Sequence, residues 1–283
     1  MSNKDLSTVD EKSKAVATYD YGEDAGVGFE NASPGDFKPS FLRVLQSNSP
    51  QCVDQLPGCA PGKIWDNISG ETFTSVLFIP AVREHVYVAW RPRQEGGGGG
   101  QGFGGVYQLG DKVVVDALRA FESEHESKFE RGDDGKIIHP KTADGEFDLV
   151  ESVYFHGVQA VEESGAVFPV TIPLSSTGMP LAGSWFTSAR RQIIPGTGKP
   201  YPLFAHIYKL GSSKVEKKGN KWFVLTQTWG KGSADESRLD PKGDLYQSAR
   251  AVAVAFKEGK AKVDYAQGGG ADADTKKDVN VPF

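Results

Sequence analysis

The sequence predicts a mainly β fold of the α+β type: an OB-like barrel elaborated by helices and long loops, with disordered acidic termini. Three observations lead there. Short runs rich in β-branched and aromatic residues recur along the chain and alternate with a period of two. Glycine and proline are frequent, 34 and 16 of 283 residues, so these runs are broken by turns and loops. Both ends are polar and acidic: residues 1–36 carry 3 basic and 8 acidic side chains, and 264–283 carry 2 and 4. The expected organisation is a disordered N-terminal segment 1–36, one OB-like domain over 37–263, and a flexible acidic tail 264–283 ending in Pro-Phe.

The elements follow in order. The core begins at Phe37-Lys38-Pro39-Ser40-Phe41-Leu42-Arg43-Val44-Leu45. Thr72 to Val82 reads as a strand, with Pro80 marking an edge or a break. His85 to Trp90 is a second strand, placing Val86, Val88 and Trp90 on one face and Tyr87, Ala89 and Arg91 on the other. Gly96 to Gly105 is a glycine-rich loop without the spacing of a phosphate-cradling motif. Val114, Leu118, Phe121 and His125 recur at helical spacing and predict a helix over 113–128. Strands follow at 148–160 and 166–172. Ser175-Ser176-Thr177 offers capping hydroxyls to a helix over 179–192. Strands resume at 203–210 and 221–229, joined by a lysine-bearing loop from Gly211 to Gly219. Asp240-Pro241 starts the last helix, with Leu245, Ala249, Val252 and Phe256 on one face and Gly259 at its end.

Several function classes find no support. No apolar run is long enough to span a bilayer, and the N-terminus lacks a signal peptide's apolar stretch. Cys52 and Cys59 read as reduced thiols, and no further ligands make a zinc site of them. The five histidines (85, 125, 139, 156 and 206) have no ligand spacing, and no nucleophile elbow, P-loop or His-Glu-x-x-His is present. The reading is a non-enzyme with no cofactor and no metal.

Charge points elsewhere. The whole chain is net −5, yet residues 37–263 hold 27 basic against 25 acidic side chains. Within them 111–165 has 6 basic and 14 acidic residues, while 184–231 has 9 basic and 1 acidic. That basic stretch is also aromatic. Trp185, Phe204, Tyr208 and Trp222 lie among Arg190, Arg191, Lys209, Lys214, Lys217 and Lys218, with His206 between. Cations that follow phosphates and flat rings that stack on unpaired bases are what sequence-independent single-strand binding needs. On a 203–210 strand, Phe204, His206 and Tyr208 would share one face as a stacking surface. Tyr87, Trp90, Arg91 and Arg93, next to the glycine loop, form a second candidate contact. At the C-terminus Asp278, Pro282 and Phe283 combine an acidic residue, an apolar ring and a free carboxylate that a partner pocket can capture.

Two resemblances extend this reading. The C-terminal tip resembles that of bacterial single-stranded-DNA-binding proteins, which end in an acidic run, an apolar residue, Pro and Phe, and use it to recruit replication and repair enzymes. The body is similar to a family of tailed-bacteriophage single-stranded-DNA-binding proteins. The matching blocks are Phe41-Leu42-Arg43-Val44-Leu45-Gln46, Val86-Tyr87-Val88-Ala89-Trp90-Arg91-Pro92-Arg93, Pro173-Leu174-Ser175-Ser176-Thr177, Ser188-Ala189-Arg190-Arg191 and Pro202 to Leu210. The resemblance implies a protein of phage DNA replication or recombination in the cytoplasm of the infected host. Its expected partners are single-stranded DNA and, through the tip, phage or host replication proteins. No membrane is involved, and a homodimer is compatible. The competing readings are a virion or assembly protein and a strand-annealing recombination mediator.

Overall fold

The computed structural model describes residues 39–92, 102–125, 130, 132, 137–162, 164–217, 219–261 and 263–268. The predicted disordered segment 1–36, the five-glycine run and the Pro-Phe tip lie outside the described residues. Nine strands form one sheet: β1 (Ser40–Val44), β2 (Ile64–Asp66), β3 (Thr72–Phe73), β4 (Val76–Trp90), β5 (Phe103–Gln108), β6 (Asp148–Ala160), β7 (Val167–Ser175), β8 (Tyr208–Lys217) and β9 (Asn220–Trp229). Their order is β3-β2-β1-β7-β6-β4-β8-β9, with β5 also on β4. The helices are α1 (Pro50–Val53), α2 (Lys112–Glu124), α3 (Met179–Arg190) and α4 (Asp244–Lys257).

The spine is β4. Thr72–Phe73 is the separate β3, and the strands expected over Thr72–Val82 and His85–Trp90 are, from Val76 on, a single 15-residue strand. Pro80 is tolerated inside it because of what borders it. One edge of β4 pairs with β6 throughout, while the other pairs with β8 only at Val76–Phe78 and with β5 only at Val86–Trp90. Pro80 therefore lies in the gap between β8 and β5, where no strand asks for its missing N–H. Its register with β6 slips between Pro80 and Val82, opposite Gly157. A Cβ on Gly157 would sit 2.1 Å from the Ile79 carbonyl oxygen, so the bulge needs glycine at that point.

Alternation along β4 divides two cores, as the sequence predicts. Val86, Val88 and Trp90 join Phe41, Tyr154 and Tyr265 on one face, and Tyr87 and Ala89 join Val114, Ala117 and Leu149 of β6 and α2 on the other. The largest cluster draws Leu42, Ile64, Phe78, Phe155, Ile172, Tyr208 and Leu210 from β1, β2, β4, β6, β7 and β8. Strands from both ends of the sheet can share one cluster only if the sheet curls around it. The result is an open half-barrel, and α3 fills it with Ala182 and the fully buried Trp185.

The two ends of the curl are joined by side chains rather than by a strand ladder. Gln46, just after β1, donates from Nε2 to the Phe223 carbonyl and accepts the Phe223 N–H at Oε1, each at 2.8 Å. A primary amide has the donor and acceptor of a peptide group, so Gln46 stands in for one residue of a missing strand. The Ser212 hydroxyl bonds the Gly62 carbonyl beside it.

The outer face is closed by α4 and the 3₁₀ turn Tyr265–Gly268. Beneath them the buried His156 donates from Nε2 to Glu84 (2.8 Å) and shares a hydrogen bond between Nδ1 and the Thr171 hydroxyl (2.9 Å), and Tyr265 OH also donates to Glu84. Burial pushes the Glu84 carboxyl up, and its hydrogen bonds from His156 and Tyr265 outweigh that and hold it below its ordinary value.

Four local expectations are corrected. Leu203–Ala205 is a 3₁₀ turn rather than the start of a strand, so Phe204, His206 and Tyr208 do not share a strand face. The residues expected as a lysine loop from Gly211 are strand, β8 running to Lys217 before turning into β9. Ser176–Gly178 forms a 3₁₀ turn, and α3 starts from Gly178 without a hydroxyl cap. Asp240 to Gly243 make a turn closed by the Gly243 N–H on the Asp240 carbonyl (2.9 Å), and α4 begins only at Asp244.

Candidate nucleic-acid interface

The predicted binding residues fall in four places. Tyr87 and Trp90 are 5 % and 8 % exposed and belong to the two cores of β4. Burial, with Glu151 and Glu122 adding to it, pushes the Tyr87 phenol up to about 12, so it stays neutral. Arg91 is exposed at the end of β4, over the Phe147 ring at 5.4 Å and 3.4 Å from Glu146. Neither aromatic offers a face to a base, so this group is not a stacking clamp. Arg93 lies outside the described residues.

Trp185 and Tyr208 are also core. Both are fully buried, in edge-on contact with each other at 5.3 Å, and Trp185 stacks on Phe155 at 4.3 Å. Their rings fill the half-barrel, where an amphipathic strand and a helix bring them together. The hollow of the half-barrel is therefore occupied by α3.

Lys214, Lys217 and the half-buried Trp222 sit near the far end of the β8–β9 hairpin, where Val215 pairs with Trp222. Lys214 is six residues beyond Tyr208, roughly 20 Å along the strand at about 3.3 Å per residue. Lys218 is outside the described residues, as are Asp278, Pro282 and Phe283.

The remaining residues converge. At the end of α3, Arg190 and Arg191 are exposed. The chain then turns through 193–200 and returns, with the Tyr201 N–H on the Gln192 carbonyl at 2.9 Å. Tyr201 meets His206 edge-on at 5.6 Å, and His206 is tilted against Trp229 at 5.5 Å. Trp229 stacks on Tyr208 at 5.0 Å. Arg238 pairs with His206 as an isolated bridge and lays its guanidinium 4.9 Å over the Tyr201 ring. Phe204 is turned to the opposite side, edge-on to Tyr246 of α4 at 5.0 Å. Lys209, exposed on β8, and Lys199 and Lys231, exposed in the flanking turns, border the cluster.

Cations outnumber carboxylates around the cluster, and Arg238 is itself ion-paired with Asp235. Burial first, and then the neighbouring Arg238, hold the His206 imidazole below its usual value. His206 is 2 % exposed, so it supports Tyr201 and Trp229 rather than meeting a ligand itself. Tyr201 and Trp229 are each half-buried, with ring surface left at the rim. Beside them the solvent face of α3 forms a shallow hollow of Gly183, Ser184, Thr187, Ser188, Arg191 and Gln192. Its side chains supply hydroxyls, an amide and a guanidinium, and no carboxylate. Such a surface suits phosphate oxygens, and the adjacent rings suit bases.

Arg238 and the linking of Tyr201 to Trp229 through His206 were not singled out from the sequence. Arg238 lies beyond the basic stretch, and only the bridge to His206 brings it back. Among the described residues, no group of three or more His, Cys, Asp or Glu is gathered to hold a metal ion.

A family model described as Pam3 phage gp34-like protein matches residues 9–262. No curated protein and no solved structure matches the chain.

Proposed function

The chain belongs to the Pam3 phage gp34-like protein family, and from that premise we propose that it is a sequence-independent single-stranded-DNA-binding protein of phage replication or recombination. The observation that carries the reading is the rim cluster of Tyr201, Trp229 and Arg238, bordered by Arg190, Arg191, Lys199, Lys209 and Lys231. Two partly buried rings, Tyr201 under the Arg238 guanidinium and Trp229 beyond His206, next to a carboxylate-free hollow, match bases and phosphates at neighbouring positions. Each stacked base is worth about 1–3 kcal/mol, and every base has a face to stack, so little sequence is read.

In this reading the curled sheet is an OB-like barrel that binds at its rim, because α3 fills its interior. The protein acts without chemistry of its own, in the cytoplasm of the infected host cell. No helix among the described residues is long and apolar enough to cross a membrane. The acidic tail ending in Asp278, Pro282 and Phe283 recruits partner proteins.

The test is tryptophan fluorescence during titration with oligo-dT, at several salt concentrations and against duplex of equal length. Single strands should quench the emission, salt should weaken the binding, and duplex should have little effect. Trp185 and Trp90 are buried and Trp65 and Trp222 lie outside the cluster, so the quenching should fall in Trp229→Phe and persist in Trp65→Phe and Trp222→Phe. Absence of binding at low salt would overturn the proposal and leave a virion or assembly role.

A further inference from the structure

A cleft of about 490 Å³, counting its open mouth, lies between α2 and the start of α3. Small-ligand clefts run from about 300 to 1,000 Å³. Alternation puts Arg83, His85 and Tyr87 of β4 on one face of the sheet, and Tyr87 stands directly opposite Glu151 of β6. Tyr87, Leu149 and Glu151 form the floor, and Leu118 and Phe121 of α2 and Met179 of α3 form walls. Ser176, also in the lining, holds a left-handed φ of 47°. That conformation is unfavourable for a residue with a Cβ, and such strain gathers at sites of binding.

Glu151 is the one carboxylate among the described lining residues, and no lysine or arginine joins it. His85 Nε2 bonds its Oε1 at 2.7 Å. Oε2 makes no hydrogen bond among the described residues and stands as an acceptor. Arg83 turns aside, its guanidinium 4.8 Å over the Phe186 ring. Burial holds the His139 imidazole of the lining below its ordinary value, so it is uncharged at neutral pH. A phosphate would meet a carboxylate here. A flat ring with N–H donors would meet apolar walls and an acceptor. Of the four DNA bases, guanine alone offers two adjacent donors, N1–H and the 2-amino group, and a carboxylate accepts such a pair together.

The cleft also opens onto a path. Met179, Gly183, Thr187 and Arg191 follow at four-residue spacing, so one stripe of α3 leads from the cleft along the hollow toward the rim cluster. Its length is roughly 18 Å at about 1.5 Å per residue.

We infer that the cleft binds one guanine base, its N1–H and 2-amino group on the Glu151 carboxylate and its ring among Leu118, Phe121 and Met179. Two sources carry such a base: a free nucleoside, or a single strand laid along α3. Only the second rests on the single-stranded-DNA reading.

The experiment is NMR of the full chain labelled with ¹³C at its methionine methyls. The sequence holds two methionines, Met1 and Met179, so Met179→Leu assigns the signal from the cleft. Deoxyguanosine should shift the Met179 methyl saturably, at about tenfold lower concentration than deoxyinosine, which lacks only the 2-amino group. Glu151→Gln keeps an acceptor for His85 and sets an amide donor against the base, so it should erase that tenfold preference. Tyr201→Ala, at the rim, should leave it intact. An unmoved Met179 methyl, equal action of the two nucleosides on the wild-type protein, or a preference that survives in Glu151→Gln would each overturn the inference. The wild-type comparison needs no variant to fold. A second arm compares oligo-dT with the same strand carrying one central guanine. Tighter binding of the guanine strand would assign the cleft to DNA. Equal binding of the two strands, with deoxyguanosine still preferred, would keep the base site and assign it to free nucleosides. Loss of all strand binding with deoxyguanosine still preferred would overturn the single-stranded-DNA reading and leave the cleft standing.

Discussion

Gln46→Ala is the most direct probe of how the half-barrel is held. The substitution removes both 2.8 Å hydrogen bonds to the Phe223 backbone and leaves the strands and their ladders intact. Each neutral bond contributes about 1 kcal/mol net, so about 2 kcal/mol is lost locally. The loss acts on the junction between the β1–β2 connection and β9. The other ties there are the Ser212 hydroxyl on the Gly62 carbonyl and the Phe223 ring over Gly62, where a Cβ would stand 2.7 Å from the ring. With the amide gone, the junction should open without global unfolding. Native-state hydrogen exchange followed by NMR reads this directly. The Phe223 amide should exchange about 30-fold faster, the factor that about 2 kcal/mol represents. Amides of the β4–β6 ladder should hold their protection. Gln46→Glu keeps an acceptor for the Phe223 N–H but turns a carboxylate on the Phe223 carbonyl. It should cost more at neutral pH and partly recover in acid, where the carboxyl can donate. An unchanged Phe223 exchange rate in Gln46→Ala would show that packing, and not the amide, joins the two ends.

Tyr201→Ala and Arg238→Ala should each weaken oligo-dT binding about tenfold or more by fluorescence titration, since the two stack on one another and offer one ring surface. Gly157→Ala should destabilise the fold by about 3 kcal/mol in urea unfolding, because the new Cβ meets the Ile79 carbonyl and the bulge has to shift. Stability should also fall in mild acid. Burial holds His206 and His139 below their ordinary values, whereas the unfolded chain takes up these protons near about pH 6.5. The stabilisation is complete above that pH and declines as pH falls below it toward the folded-state values. Urea midpoints at neutral and mildly acidic pH should show the slope, and His206→Asn should flatten part of it.

Much of the architecture could be read from periodicity. The two faces of β4 around Val86 and Tyr87, the helical spacing of Val114, Leu118 and Phe121, and the strands of β6 and β9 all stand where the pattern of apolar residues puts them. Boundaries were less legible. Pro80 argues against a central strand unless its neighbours leave its edge unpaired. That depends on where β8 stops and β5 begins, which no local window contains.

The candidate site was the least legible part, and the reason is physical. Alternation states which side chains share a face, but it does not state what covers that face. Trp185 and Tyr208 carry the same stacking chemistry as Tyr201 and Trp229. Two are core and two reach the rim because α3 folds into the half-barrel and 193–200 folds back outside it. Arg238 joins the cluster through one bridge to His206, and Gln46 reaches Phe223 across most of the chain. The sequence by itself determined the strand faces, the helices and the distribution of charge, since those follow from the local order of side chains. Only the tertiary structure decided which rings are buried, which cations meet them and how the sheet is held closed, because those depend on contacts between segments distant in the chain.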